Sequence, residues 1–101
     1  MKVTGERESV ELCTEAGWSA VDLMTDEPVD RETVLKLGKL GTLTYLSMLR
    51  QPFYRVESNF WLVKGLEGEK TLRVSMAGGE EDIIRRVRDC LEDDVSGPQR
   101  C

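Results

Sequence analysis

The chain has 101 residues, of which 40% are hydrophobic and 33% charged, with a net charge of −5. That length fits one core, and the composition belongs to a folding chain rather than a disordered one. It contains no histidine, which removes the commonest general base, the commonest zinc ligand and the ordinary pH switch.

The first residues, from Met1 to Glu8, are polar and carry no apolar stretch of the kind a signal peptide needs. No apolar run approaches the roughly 18 residues of a membrane span. The chain therefore reads as cytoplasmic, without a membrane segment. Ser9-Val10-Glu11-Leu12-Cys13-Thr14 looks like a strand, and residues 18–24 read either as its hairpin partner or as a short helix. As a strand, this segment would join the sheet and supply a fourth.

A helix is expected to start after Pro28, with Asp30 as N-cap and Glu32 in its first turn. Val34, Leu35 and Leu37 form its apolar stripe. Its end is ambiguous. The positions Val34, Leu37, Gly41, Tyr45 and Met48 keep helical spacing, which favours a helix over about 30–50, halted before Pro52. Gly38 and Gly41 leave open a break at 38–41 with a strand after it.

Residues 53–76 form the clearest region. Phe53-Tyr54-Arg55-Val56-Glu57 and Phe60-Trp61-Leu62-Val63-Lys64 flank Ser58-Asn59, the pattern of a tight hairpin with a primed turn. A second turn falls at Leu66-Glu67-Gly68-Glu69. Then Leu72, Val74 and Met76 alternate with Thr71, Arg73 and Ser75. This predicts a three-stranded antiparallel meander whose middle strand is apolar on both faces. Something must then cover each face: the N-terminal segment with Trp18, Val21 and Met24, or a second molecule.

Ile83, Ile84, Val87, Cys90 and Leu91 predict a helix over about 80–93, with carboxylates in its first turn complementing the dipole. The fold expected is α+β: an antiparallel three- to four-stranded sheet packed against two helices. Residues 1–94 would form one domain, and 95–101 a flexible C-terminal tail.

No catalytic constellation can be drawn, and an enzyme is disfavoured. Cys13, Cys90 and Cys101 are scattered and make no CxxC pair; Cys90 lies on an apolar helix face. No EF-hand spacing joins the carboxylates, so neither metal nor cofactor is expected. The features that could bind are three. Trp18, Tyr54, Phe60 and Trp61 could form an interaction surface for a protein partner or a second copy. Arg55, Lys64 and Arg73 could contact a small anion or nucleic acid beside those aromatics. Gly78 and Gly79, between a strand and a helix N-terminus, could cradle an anion, although Glu80, Glu81 and Asp82 would repel one.

Charge is distributed unevenly. Residues 1–32 carry nine acidic and three basic side chains, residues 33–79 three and seven, and residues 80–101 seven and four. A basic centre between acidic ends suits either an acidic partner or internal pairing of the ends with the centre. The negative total weighs against nucleic acid. The favoured expectation is a small binding module, for a protein or for itself.

Overall fold

The computed structural model describes residues 1–8 and 18–92. Among these, six strands are present: β1 Val3–Glu8, β2 Trp18–Thr25, β3 Thr42–Leu46, β4 Phe53–Glu57, β5 Trp61–Leu66 and β6 Thr71–Ala77. They form one sheet in the order β1-β2-β6-β5-β4-β3, with every neighbouring pair antiparallel. Two helices accompany them, α1 Arg31–Leu37 and α2 Asp82–Glu92.

The expected meander is there as β4-β5-β6, but the sheet has six strands rather than three or four. Two segments account for the difference. The first is β1-β2. The polar start of the chain is itself an edge strand, and β2 pairs with β6 from Trp18↔Ala77 to Met24↔Thr71. The N-terminal segment thus widens the sheet instead of covering it.

The second is β3. The helix expected over 30–50 ends at Leu37, a single 3₁₀ turn takes Gly38–Leu40, and the chain then becomes a strand. Thr42, Thr44 and Tyr45 are β-branched or aromatic, and they prefer the pleated surface. Both glycines serve the chain reversal. A Cβ at Gly41 would stand 2.6 Å from the Glu57 carbonyl oxygen and 2.9 Å from the Trp61 ring; one at Gly38 would stand 2.8 Å from the Leu43 side chain. Helical spacing across 34–48 was a coincidence of these contacts.

α1 begins where its cap predicts. The Asp30 carboxylate accepts the Thr33 N–H at 2.9 Å and the Thr33 hydroxyl at 2.8 Å. Val34 and Leu37 are buried, whereas Leu35 is exposed. Backbone bonds from Val29 N–H to Glu69 O and from Gly68 N–H to Val29 O fasten the segment before α1 to the β5-β6 turn. That turn has Gly68 at φ +96° with Glu69 N–H donating to Leu66 O. A left-handed third residue suits glycine.

The turn between β4 and β5 differs from expectation. It spans residues 58–60, with Ser58 N–H donating to Trp61 O at 3.0 Å. No non-glycine residue among those described has positive φ, so this is not a primed turn.

α2 starts at Asp82, two residues later than its carboxylates suggest, and buries Ile83, Val87, Cys90 and Leu91. These residues and those of α1 join one core with Leu23, Tyr54, Val56, Trp61, Val63, Leu72, Val74 and Met76. The sheet residues in this set lie opposite one another in register, so both helices pack on the same face. The expected tail at 95–101 and the strand expected at 9–14 lie outside the described residues.

Candidate functional site

The opposite face of the sheet carries no described helix. Its side chains follow from the strand period of two. Where Tyr54, Val56, Val63, Leu72 and Val74 point inward, Arg55, Lys64 and Arg73 point the other way. Register aligns Arg55↔Lys64 and Lys64↔Arg73 as direct neighbours. It continues the row to Asp22 and Arg7 on one side and to Thr44 on the other. One row of side chains therefore crosses the sheet, cationic from β1 to β4 except for the Asp22 carboxylate and ending on the neutral Thr44 in β3.

That carboxylate belongs to the acidic N-terminal third. Asp22 is 5% exposed and accepts from Arg73 Nε at 2.9 Å, with Arg7 Nε at 3.9 Å. Internal pairing of an acidic end with the basic centre is thus real at Arg73. It does not extend along the row. Among the described residues Arg55 makes its ion pair with Glu57, at 3.3 Å, with both side chains nearly half exposed. Such a pair contributes little. The Arg55 Nε is buried with no hydrogen-bond partner among the described residues. Lys64 makes no ion pair among them.

Beside the cations runs an apolar stripe. Leu46↔Phe53 and Phe53↔Leu66 are register neighbours; Leu46 is exposed, and the other two are half-buried. Leu62, half-buried, lies on the other flank. The apolar outer side of the middle strand is therefore part of a mixed face, not of a second core.

The aromatic group expected to act together is dispersed. Tyr54 and Trp61 are buried in the core, and Trp61 takes the Arg86 guanidinium at 6.0 Å from its ring centre. Phe60 is exposed in the β4-β5 turn. Trp18 is half-buried on the cationic face at its far end, opposite Ala77. At Gly78-Gly79 the chain supplies its own anion. Gly79 sits at φ +89°, and its N–H donates to the Glu81 carboxylate at 3.0 Å. A carboxylate of the chain already occupies the place an anion would take.

Elsewhere the chemistry is quiet. A groove of about 470 Å³ along α2 is lined by Glu81, Ile84, Arg85, Arg88, Asp89 and Glu92. Its central Arg85 is held by Asp82 at 2.8 Å and Asp89 at 3.2 Å. Hydrogen bonding to Asp82 raises the pKa of Arg85 above the ordinary arginine value. Among the described residues, no cluster of three His, Cys, Asp or Glu side chains could hold a metal ion. Among them, no helix is long and apolar enough to cross a membrane.

Sequence reasoning missed Leu46, Leu66, Arg7 and Asp22 as members of this face. The Thr42–Leu46 alternation was the available signal for β3, but membership in a row depends on register across strands distant in sequence. No protein-family model, curated protein or solved structure matches this chain.

Proposed function

We propose that the protein is a small interaction module that binds an acidic protein partner on the sheet face opposite α1 and α2. The observation that carries this reading is the alignment of Arg55, Lys64 and Arg73 as adjacent residues beside the Leu46-Phe53-Leu66 stripe. A mixed cationic and apolar surface suits a partner segment that presents carboxylates next to aliphatic side chains. Apolar contact supplies affinity, and the cations supply steering and register. A cytoplasmic location is proposed with it.

The same three cations could hold phosphates. The chain's charge of −5 opposes that use, because nucleic-acid affinity depends on a favourable overall potential.

The test compares wild type with an Arg55→Glu, Lys64→Glu double variant in affinity capture from native extract, at about 0.1 M and about 0.5 M salt. A protein captured by wild type at low salt, and lost both at high salt and from the variant, supports the reading. Capture indifferent to the charge reversal overturns it. Loss of capture on nuclease treatment would assign the face to nucleic acid instead.

A further inference from the structure

The sheet has two edges, and they are built differently. β1 forms one and β3 the other. An edge strand presents unpaired N–H and C=O groups that template another strand. β1 is guarded. It carries Glu6, Arg7 and Glu8, and its register shifts between Val3 and Gly5. Charges and irregularities of this kind discourage pairing.

β3 has no such guard. Thr42-Leu43-Thr44-Tyr45-Leu46 contains neither charge nor proline, and it pairs with β4 through five consecutive residues without a shift. Leu43 and Tyr45 point to the core side but are only half-buried, so the core is open at this rim. Just beyond, Leu46, Met48 and Leu49 are 37%, 78% and 46% exposed.

We propose that β3 pairs antiparallel with β3 of a second copy of this chain about a two-fold axis at Thr44, giving a continuous twelve-stranded sheet. The strand is complementary to itself in that register. Thr44 faces the partner's Thr44, a pair that can share a hydrogen bond. Leu43 faces the partner's Tyr45 on the core side, an aliphatic–aromatic pair that closes the open rim. Thr42 faces the partner's Leu46. An isologous contact of this kind makes a closed dimer.

Charge leaves the strand itself open to this occupant. No charged residues meet within the paired strands. The carboxylates of β1 and β2 lie at the far edge of each sheet, remote from the axis. On its own sheet β3 has Arg55 and Glu57 in register beside it and the Glu67 carboxylate held by the Tyr45 hydroxyl; the charges flanking it along the chain are Lys39 and Arg50, and antiparallel pairing brings Lys39 toward the partner's Arg50. Salt therefore strengthens the dimer by screening this repulsion. A foreign acidic strand at the same edge would bind with the opposite salt dependence.

The proposal is independent of the cationic face, but the two features combine. The row Arg73-Lys64-Arg55-Thr44 would run on into its counterpart. Arg55 and the partner's Arg55 would then be three strand spacings apart, about 14 Å. That exceeds a Debye length of about 8 Å at physiological salt, so the rows do not repel strongly.

The experiment is sedimentation velocity of the full chain from about 10 µM to about 1 mM, a range suited to an interface of modest area. It is repeated at about 0.1 and about 0.5 M salt, with hydrogen exchange of residues 42–46 followed alongside. The mass is expected to double, earlier at high salt, with β3 amides at least about tenfold better protected at high concentration. Thr44→Lys places like charges face to face at the axis, and Thr44→Glu does the same; each alone should be monomeric. Mixing the two should restore a dimer, which rules out misfolding as the cause. A strict monomer at every concentration overturns the proposal. So does a dimer that Thr44→Lys leaves intact, or one that salt dissolves.

Discussion

Tyr54 lies across Gly65 of the neighbouring strand, so closely that a Cβ on Gly65 would stand 2.5 Å from the tyrosine hydroxyl oxygen and 2.8 Å from Cζ. The ring fills the space a side chain would take. Tyr54 is fully buried and has nowhere to move. Gly65→Ala should therefore destabilise the fold by about 1–3 kcal/mol, the usual cost of overpacking. Urea unfolding checks this. Pairing it with Tyr54→Phe should recover only part of the loss, because the ring carbon remains.

The Tyr54 hydroxyl is buried without a hydrogen-bond partner among the described residues. An unsatisfied buried hydroxyl costs about 1–3 kcal/mol. Tyr54→Phe alone should thus stabilise the protein, by about 1 kcal/mol after the loss of some packing. The same burial raises the Tyr54 pKa well above the ordinary tyrosine value. The sign follows directly. Above about pH 10 the unfolded chain releases this proton first, so stability is full below that pH and falls as pH rises. Urea midpoints between pH 9 and pH 11, on an absolute scale ~2 units wide, should fall less steeply in Tyr54→Phe than in wild type.

The cap of α1 sets the acid side. Hydrogen bonds from Thr33 hold the Asp30 carboxyl below its ordinary value of 3.8. A depressed folded-state pKa contributes stability that is present above the unfolded value and is lost as pH falls through the folded one. Asp30→Ala should cost about 1 kcal/mol at neutral pH. The difference between variant and wild type should shrink below about pH 4, as thermal unfolding at several pH values would show.

Ion pairs on the cationic face should differ in worth according to exposure. The Asp22 side chain is 7% exposed opposite Arg73 at 22%, whereas Glu57 and Arg55 are both above 40%. Asp22→Ala should cost about 1–3 kcal/mol, since it removes a charge-assisted hydrogen bond from a partly buried arginine. Glu57→Gln should change stability by less than about 0.5 kcal/mol. Chemical denaturation of the two variants tests the ranking.

At Gly68 the backbone itself decides. With φ at +96° and nothing near a Cβ, a side chain would fit but the conformation would not. Gly68→Ala should destabilise by about 1 kcal/mol through backbone strain alone. A larger loss in a melting experiment would mean that the Val29–Gly68 and Val29–Glu69 backbone bonds fail with it.

Local rules carried the sequence reading where a residue's neighbours in the chain decide its state. Asp30 caps α1, the turn at Leu66-Glu67-Gly68-Glu69 is in place, and Leu72, Val74 and Met76 face the core. The reading failed where distant residues decide. Gly41 is glycine because Glu57 and Trp61 crowd it, and no window around position 41 contains them. The alternation in Thr42–Leu46 was present but was outweighed by an accidental helical period. For the candidate site, Arg55, Lys64 and Arg73 were grouped from the sequence. The continuation of their row to Asp22, Arg7 and Thr44 was not legible, because a register shift of one residue would have turned each to the other face. Of the aromatics, Tyr54 and Trp61 proved to be core because each alternates with its neighbours onto the helix side.

The strand order has a kinetic consequence. β3 to β6 form a continuous meander in which each strand pairs with the next in the chain, and β1 pairs with β2. Among the described strands the two blocks meet where β2 lies against β6, joining residues such as Asp22 and Arg73, 51 positions apart in sequence. Closing so long a loop is entropically costly before any contact rewards it. The meander should therefore gain its structure first, and attachment of the β1-β2 pair should be the rate-limiting event. Substitutions in β2 would then accelerate unfolding and slow folding together, whereas those in the β3-β4 pair would leave one of the two rates nearly unchanged.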